Sequence, residues 1–420
     1  MYIKSLSINM KIFIILNLIV IINSYNIHKL GFATRAVHGE HTVDLSTGNF
    51  ITPIVLGTSF SQNLTGDKPG IDDINSHGQG FFYSRMGNPT RGELEKTLAL
   101  SENANYSAVF SSGMASISTV IQLLNYSNHV IALDDLYGGT TTYFKKIASI
   151  KNGINFTFLD VDEFNNLEKY INSDTKVVWL ESLTNPLLKT VNIKKISKIT
   201  KKYNLLLVVD STFTSPYLFN ALDCGADIVI HSATKYISGH SDILMGAIMC
   251  NDKNLIKKIR FFQSSIGAVP SPFECYLAIR GLKTLHLRMD ASQKNALILA
   301  KFLESQNMVE KVIYPGLKSY DNYKLVKKQF RGFGSMISIY IKGDVNKFLK
   351  SLKIFKLAVS LGAVESLLCC PASMTHVGIS KDIRESMGIT DNLIRISVGI
   401  EDINDLINDI KQALDNLKDL

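Results

Sequence analysis

A lysine just beyond a predicted strand is the clearest candidate for covalent chemistry. Lys235 lies in the run Ser232-Ala-Thr-Lys235-Tyr236, directly after a predicted strand at residues 227–231. Open α/β sheets bind ligands at the carboxyl ends of their parallel strands, and a partly desolvated lysine amine forms Schiff bases with carbonyl compounds. A surface loop lysine is the alternative. The Ser-x-x-Lys spacing also matches a serine β-lactamase signature, but this serine ends a strand and neither Ser-Asp-Asn nor Lys-Thr-Gly follows.

An acidic residue ends another predicted strand upstream of this lysine. Asp210 follows the apolar run at residues 205–209, which is typical of a central parallel strand. A carboxylate there can pair with a protonated pyridine nitrogen, the partner that pyridoxal phosphate needs in order to act as an electron sink. A helix-capping or turn acid is the alternative role. Lys235 and Asp210 together predict pyridoxal-phosphate chemistry.

Two further turns between a strand and a helix carry candidate binding groups. Gly113 and Met114, in Ser111-Ser112-Gly113-Met114, open a predicted helix, where backbone N–H groups and the helix dipole favour a phosphate. Tyr137, in Tyr137-Gly-Gly-Thr140, places an aromatic ring beyond the next predicted strand. That ring could stack on a flat cofactor, and a packing aromatic is the alternative. Each turn is a weak signal alone, and the prediction depends on all four groups meeting at one edge of a sheet.

The predicted strands and helices that position these residues alternate regularly along the chain. From about residue 105, short β-branched runs alternate with amphipathic helical patterns. This alternation predicts an α/β fold, a mainly parallel sheet with helices on both faces. The carboxyl ends of its strands share one edge, which would bring the four groups together. Predicted strands lie at 106–110, 129–133, 155–159, 176–180, 205–209, 227–231 and 246–250, and predicted helices at 114–124, 143–150, 164–171 and 193–203.

The pattern changes on both sides of this region. After about residue 288, fewer strands predict a smaller α+β domain. Residues 31–80 are rich in Gly, Ser and Thr and lack periodicity, which predicts an extended arm. We predict a leader at 1–25, an N-terminal arm at 26–85, a large cofactor-binding domain at 86–288 and a small domain at 289–420. The small domain's predicted elements are 291–304, 309–314, 334–342, 394–399 and 403–417.

Composition excludes several classes of protein. Hydrophobic residues make up 46% and charged residues 20% of the 420 residues, which is ordinary globular usage rather than that of a disordered or fibrous chain. The 45 basic and 37 acidic residues are interspersed, without the basic stripe typical of nucleic-acid binding. The histidines are scattered and no His-Glu-x-x-His motif occurs. We therefore predict no nucleic-acid partner and no metal site.

The N-terminal segment has the pattern of a secretory signal. Lys4 and Lys11 precede an apolar run at residues 12–22 that is too short to span a membrane as a helix. The five cysteines, however, are few and odd in number, which argues against a disulfide framework and favours a reducing compartment. We therefore predict a cytoplasmic protein without a membrane span, with secretion left open by residues 1–25.

The order and spacing of these motifs resemble the Cys/Met-metabolism family of pyridoxal-phosphate enzymes. The resemblance covers about residues 31–418 and implies fold type I, with a mainly parallel sheet and a smaller α+β C-terminal domain. Within the family it is closest to the cystathionine γ-lyase branch, through residues 267–272, 280–286 and 309–315. The family motifs include Tyr83-Ser-Arg85-Met-Gly-Asn-Pro-Thr-Arg91, Glu181-Ser-Leu-Thr-Asn-Pro186, and segments 31–38, 135–139, 232–236 and 395–399.

The resemblance implies how the cofactor would be held. Lys235 would bind it covalently and then move protons, and Asp210 would pair with its ring nitrogen. Tyr137 would stack on the ring and assist proton transfer near the leaving group. The implied phosphate ligands are the backbone of Gly113 and Met114, the hydroxyls of Ser232 and Thr234, and, from a neighbouring subunit, Tyr83 and Arg85.

The resemblance also implies a substrate site and an assembly. Arg395, with Asn185 and Ser360 nearby, would bind the α-carboxylate of an amino acid, a task suited to the two-pronged guanidinium group. The implied assembly is a homotetramer made of two dimers that share their active sites. The implied reaction is γ-elimination of a sulfur amino acid, with cystathionine as the main expectation.

Two positions differ from the residues that cystathionine γ-lyases usually carry, so the identity of the substrate is not determined by the resemblance. Cystathionine γ-lyases usually carry an arginine where Thr142 stands and a glutamate where Val359 stands, and both charges lie near the distal end of a substrate. Losing both makes the site more like that of methionine γ-lyases, although those usually have a cysteine where Gly139 stands. A methionine γ-lyase, a cystathionine γ-synthase or O-acylhomoserine sulfhydrylase, and a non-catalytic paralogue are the alternatives. The last is disfavoured because Lys235, Asp210 and Arg395 are all present.

Overall fold

The structure, a computed structural model, describes residues 27–39, 48–61 and 81–417. The predicted leader at 1–25 and part of the predicted arm lie outside these residues. Within the described ranges, no helix combines the length and apolar character needed to cross a membrane. The same ranges contain no cluster of three His, Cys, Asp or Glu side chains arranged to hold a metal ion.

A seven-stranded sheet forms the centre of the large domain. Its strand order is β1-β7-β6-β5-β4-β2-β3, and β7 is antiparallel to both of its neighbours while all the other strands run parallel. The predicted α/β fold with a mainly parallel sheet is therefore confirmed. The strands are β1 (Tyr106–Phe110), β2 (His129–Leu133), β3 (Asn155–Leu159), β4 (Thr175–Glu181), β5 (Leu206–Asp210), β6 (Ile228–Ser232) and β7 (Gly246–Cys250).

Helices cover both faces of this sheet, which explains why its central strands are apolar throughout. Phe144 and Trp179 pack edge to face within the resulting core. The predicted helix at 143–150 is irregular, since Phe144–Ala148 is π-helical, and the one at 164–171 is a 3-10 helix, Glu163–Tyr170. The α-helices are α1 (Phe32–His38), α2 (Pro89–Glu102), α3 (Gly113–Ile121), α4 (Gly138–Tyr143), α5 (Ser149–Asn152), α6 (Ile193–Lys202), α7 (Ser215–Leu218), α8 (Lys253–Ile266) and α9 (Pro272–Lys283).

A second, five-stranded sheet forms the small C-terminal part, in the order β10-β11-β12-β9-β8. Two of its strands were not predicted, because runs of two and three residues are too short to show an alternation of apolar and polar residues. The strands are β8 (Val309–Ile313), β9 (Met336–Ile341), β10 (Lys356–Leu357), β11 (Leu367–Cys369) and β12 (Leu393–Ser397). The helices are α10 (Leu285–Glu304), α11 (Tyr323–Gln329), α12 (Val345–Ser351), α13 (Lys381–Ser386) and α14 (Ile403–Asp415).

One long helix links the two hydrophobic cores. Leu285 and Met289, in the first turns of α10, belong to the core of the large sheet, while Ala296 and Leu299 farther along belong to the core of the small sheet. The predicted boundary at 288/289 thus lies inside α10, and the division into domains stays a proposal. The shared helix fixes the position of the small sheet relative to the carboxyl edge of the large one.

The predicted arm is not wholly extended. Residues 32–38 form α1, which docks on the large domain by burying Ala36. Arg35 donates a hydrogen bond from Nη1 to the carbonyl oxygen of Leu100, near the carboxyl end of α2. This tertiary docking stabilises a helix that the weak local periodicity did not reveal.

Candidate active site

One cavity of about 430 Å³ opens where the carboxyl edge of the large sheet faces the small domain. It collects the predicted residues from five strand ends and from two segments of the small domain. Because parallel strands end at the same edge, residues far apart in sequence meet here. The predicted site residues that line it are Gly113, Met114, Tyr137, Asn185, Asp210, Ser232, Thr234, Lys235, Val359, Ser360 and Arg395.

Lys235 follows β6 and points its amine into this cavity. Its Nζ donates a hydrogen bond of 2.7 Å to Oγ of Ser360. Burial, and then the positive charge of Arg395, lower the pKa of the Lys235 amine to about 8. A lysine with a lowered pKa is neutral more often at physiological pH, and the neutral amine is the form that attacks a carbonyl carbon and accepts a proton.

Asp210 ends β5, the strand that pairs with β6, and lines the same cavity as Lys235. Its Oδ1 accepts hydrogen bonds from the backbone nitrogen and the hydroxyl of Thr212, at 2.9 and 2.5 Å. Burial raises the pKa of Asp210, and the bonds from Thr212 oppose that rise. Both bonds come from neutral groups, so this buried carboxylate is suited to a cationic ring nitrogen.

The turn after β1 is shaped for an anion. The side chain of Ser112 caps α3 by accepting a hydrogen bond of 3.1 Å from the nitrogen of Ala115. The N–H groups of Gly113 and Met114 lie in the first turn, where a helix supplies no carbonyl partners. A Cβ on Gly113 would lie 3.1 Å from Oγ of Ser232, so glycine lets the turn approach that predicted phosphate ligand closely. Thr234 is held alongside through its hydroxyl, which accepts a hydrogen bond from the nitrogen of Met245.

Tyr137 stands at the mouth of the cavity with 45% of its surface exposed. Its backbone nitrogen donates a hydrogen bond of 2.7 Å to Oε1 of Glu181. A Cβ added to Gly139 would lie 2.5 Å from Cε1 of the Tyr137 ring, so a side chain at position 139 would displace the ring from this position. The absence of a side chain at 139 therefore permits the observed placement of the aromatic ring.

Arg395 lies on β12 and is almost fully buried, with 3% of its surface exposed. Nη1 donates to Oδ1 of Asn185 and Nη2 donates to the carbonyl oxygen of Ser360, each at 2.9 Å. Its Nε is buried and has no hydrogen-bond partner among the described residues. Since an unpaired buried donor is costly, this guanidinium group is suited to bind a carboxylate.

Three predicted site residues do not line the cavity. The guanidinium group of Arg85 lies 5.6 Å from the centroid of the Tyr83 ring, and its Nη1 donates to the carbonyl oxygen of Ser264. The role of Tyr83 and Arg85 toward a neighbouring subunit stays a prediction. Thr142 is exposed on α4, so a part for Thr142 in the distal pocket also stays a prediction.

The cavity also contains residues that sequence reasoning assigned no role. Thr212 anchors Asp210, and Glu181 lies next to Asp210 in the register of β4 and β5. The signal for Glu181 was its place at the end of an apolar strand, the same signal that identified Asp210. Leu244, Met374 and Thr375 come from loops without regular periodicity. Met374 and Thr375 belong to the run at 371–376, which resembles a segment of methionine γ-lyases, but the sequence assigned neither residue a role.

Taken together, the residues fit pyridoxal phosphate. The cavity offers an amine for the aldehyde, an acid for the ring nitrogen, a helix N-terminus with two hydroxyls for the phosphate, and an arginine for a substrate carboxylate. A comparison with known families identifies the family of this chain: residues 33–415 match the family described as Cys/Met metabolism PLP-dependent enzyme. The chain belongs to this family. Its cofactor is therefore pyridoxal 5′-phosphate.

Individual relatives point to one branch of the Cys/Met-metabolism family. The chain is 47% identical to a cystathionine γ-lyase of Dictyostelium discoideum over 393 residues, which covers 93% of this chain and 98% of that protein. It is 46% identical to the human cystathionine γ-lyase over 392 residues, covering 92% and 94% of the two chains. A solved structure of cystathionine γ-lyase from Lactobacillus plantarum, complexed with L-serine, superposes with a TM-score of 0.88 at 37% identity, covering 93% of this chain and 100% of that one.

Proposed function

We propose that this chain is a carbon–sulfur lyase that splits cystathionine by γ-elimination. One molecule each of cystathionine and water gives cysteine, 2-oxobutyrate and ammonia. The observation that carries the proposal is the meeting of the Lys235 amine and the Arg395 guanidinium group in one cavity, 2.7 and 2.9 Å from two different atoms of Ser360. The similarity to cystathionine γ-lyases over more than nine-tenths of the chain supports the choice of substrate.

The cofactor, Arg395 and Lys235 have separate roles in the proposed reaction. Bound pyridoxal phosphate stabilises negative charge at the substrate's Cα. Arg395 binds the substrate α-carboxylate and so orients the Cα–H bond toward Lys235. The Lys235 amine accepts the Cα proton and, from the same position, reaches the Cβ proton whose removal precedes cleavage of the Cγ–S bond. General acid–base transfer of this kind contributes about 10²–10⁴-fold to rate.

The departing sulfur needs a proton as the Cγ–S bond breaks. Tyr137 lines the cavity and is partly exposed, and its hydroxyl can supply that proton. Glu181 fixes the backbone of Tyr137, while the missing side chain at Gly139 leaves room for the ring. Tyr137 thus combines ring stacking with proton donation to the thiolate of cysteine.

A methionine γ-lyase is the second candidate, because the two positions expected near the distal end of a substrate, 142 and 359, carry no charge. Val359 lines the cavity and is 56% exposed, and Thr142 supplies no cation. Neither residue can pair with the zwitterionic distal head of cystathionine. Gly139 disfavours a methionine γ-lyase. Those enzymes usually carry a cysteine at this position, and a side chain there would crowd the Tyr137 ring. We therefore propose cystathionine as the main substrate with weakened discrimination and measurable activity on methionine or homocysteine.

Replacing Val359 with glutamate should raise the preference for cystathionine over methionine. One charge-assisted hydrogen bond to the distal ammonium group is worth about 1.5–3 kcal/mol, or roughly tenfold to a hundredfold in kcat/KM. The ratio of the two kcat/KM values measures the effect, and Val359→Gln is the matched control for side-chain size. An unchanged ratio would show that position 359 does not contact the distal head.

We propose that the active sites are shared between subunits of a homotetramer built from two dimers. Tyr83 and Arg85 lie outside the cavity of their own chain, on a segment that Arg91 holds by donating from Nη1 to the carbonyl oxygen of Ser84. From there their side chains reach the cofactor phosphate of the partner subunit. No nucleic acid or membrane is part of this assembly, and the five free cysteines agree with a cytoplasmic location.

Mixing two inactive variants tests the shared site. Arg85→Ala and Lys235→Ala each disable a different half of the site, so a hybrid dimer should contain one site with both halves intact. After subunit exchange, activity should return to at most about a quarter of the wild-type value for random mixing, whereas each parent stays inactive. A mixture that stays inactive after exchange is verified by native mass spectrometry would refute sharing.

The proposed function itself is tested by assaying the purified protein with four substrates in parallel. Cystathionine, methionine, homocysteine and cysteine are each incubated with the protein, and keto acid, thiol and sulfide are measured. Net elimination from cystathionine supports the lyase. Activity only when an O-acylhomoserine and a thiol are supplied would favour a synthase or sulfhydrylase, and inactivity with every substrate would favour the non-catalytic alternative.

A further inference from the structure

A second buried carboxyl group lies beside Asp210. Glu181 ends β4, and its Cα pairs in register with that of Asp210 at the end of β5. Since residues in register on neighbouring parallel strands project to the same face, both side chains reach the cavity, and both line it. Glu181 is 5% exposed. The two acids therefore lie side by side at the carboxyl edge of the sheet.

The two acids have different partners. Oδ1 of Asp210 accepts two hydrogen bonds from Thr212, which favour its charged form. Oε1 of Glu181 accepts a hydrogen bond from the backbone N–H of Tyr137. Within the part of the chain that the structure describes, Glu181 forms no ion pair.

The charges around Glu181 are mostly negative. Asp210 on β5 and Asp135 in the loop after β2 both act against its ionisation. The two cations that line the cavity, Lys235 and Arg395, are bonded to Ser360 and Asn185 instead. Two neighbouring carboxyl groups in a buried site cannot both ionise cheaply. Burial, and then Asp210, raise the pKa of Glu181 well above its usual value, against the opposing effect of hydrogen bonds from the backbone N–H groups of Tyr137 and Asn185.

We propose that Glu181 is a protonated positioning residue, whose neutral carboxyl group holds the backbone of Tyr137 without placing a second negative charge beside Asp210. The carbonyl oxygen of the acid accepts the Tyr137 N–H, which fixes the start of α4 and the ring that precedes it. Asp210 then remains the single negative charge at the ring nitrogen. The kinetic consequence rests on the proposed function, but the protonation state does not.

Infrared spectroscopy tests the protonation state directly. Near neutral pH, the wild-type protein should show the carbonyl stretch of a protonated carboxylic acid, with the expected small shift in D₂O, and Glu181→Gln should remove it. Glu102, Asp135 and Asp210 are buried acids whose pKa is also raised, that of Asp135 to about 6. Asp135→Asn is the matched control and should leave the Glu181 band in place. A wild-type protein without this band at neutral pH would overturn the proposal.

Paired substitutions test the positioning role. Glu181→Ala leaves the Tyr137 N–H without its acceptor, and kcat should fall about tenfold or more. Glu181→Gln keeps a carbonyl acceptor without a charge and should recover most of that loss. If glutamine is as damaging as alanine, the charge matters and the proposal fails; if alanine behaves as wild type, Glu181 positions nothing.

A further readout separates this inference from the proposed reaction. Visible circular dichroism of the bound cofactor reports the asymmetry imposed by the Tyr137 ring, and it needs no substrate. Glu181→Ala should change that signal and Glu181→Gln should preserve it. An enzyme inactive on cystathionine that still shows the infrared band and this dichroism pattern would refute the proposed function alone. If Glu181→Ala does not fold, the infrared band and the glutamine variant still decide the question.

Discussion

Lys235→Ala should abolish turnover while leaving the protein folded. The side chain lines an open cavity and donates one hydrogen bond, to Ser360, so removing it disturbs little packing. Loss of proton transfer alone should cost about 10²–10⁴-fold, and loss of covalent attachment adds to this. Turnover of cystathionine measures the effect, and thermal unfolding followed by circular dichroism checks the fold.

Covalent attachment of the cofactor to Lys235 can be measured without an activity assay. The wild-type protein should be yellow when purified, and borohydride reduction followed by proteolysis and mass spectrometry should find a pyridoxyl group on Lys235. Lys257→Ala, which removes an exposed lysine of α8, is the control and should behave as wild type. A pyridoxyl group found on another lysine, or full turnover by Lys235→Ala, would contradict the assignment.

Arg395→Met should raise KM strongly for every amino-acid substrate. The guanidinium group is already bonded to Asn185 and Ser360 and has a spare buried donor, so it is held ready for a carboxylate. Each charge-assisted hydrogen bond lost costs about 1.5–3 kcal/mol, or roughly tenfold to a hundredfold in kcat/KM. Steady-state kinetics with cystathionine measures the loss.

A substrate lacking the carboxylate shows whether this loss is specific. The wild-type enzyme should strongly prefer the free acid of its substrate over the α-carboxamide, because only the acid pairs with Arg395. In Arg395→Met that preference should collapse, even though both activities are low. A preference that survives the substitution would mean that Arg395 supports the fold and does not bind the substrate.

The parts of the fold that could be predicted are those that local chemistry determines. The central strands are apolar because both faces are covered, and β1, β2, β3 and β7 begin and end at the predicted residues. The site residues at strand ends followed from the same pattern, since a parallel sheet places its carboxyl ends together. Lys235 and Asp210 needed nothing beyond this argument.

The remaining features depend on tertiary structure, which local sequence does not encode. Helix α1 exists because it docks on α2. Strand β11 exists because β12 offers it an edge, and β10 because β11 does. The closeness of Glu181 to Asp210 depends on the register of β4 against β5. Ser360 reaches Lys235 only because α10 fixes the small domain against the large one.

The identity of the keto acid formed from cystathionine tests the central claim most directly. Cystathionine has two carbon–sulfur bonds, and each route of elimination leaves a different product. Cleavage of the Cγ–S bond gives 2-oxobutyrate with cysteine, whereas cleavage of the Cβ–S bond gives pyruvate with homocysteine. Proton NMR of the reaction mixture distinguishes them in one spectrum. We predict 2-oxobutyrate and cysteine in equal amounts; pyruvate and homocysteine, or no keto acid at all, would contradict the proposed γ-elimination.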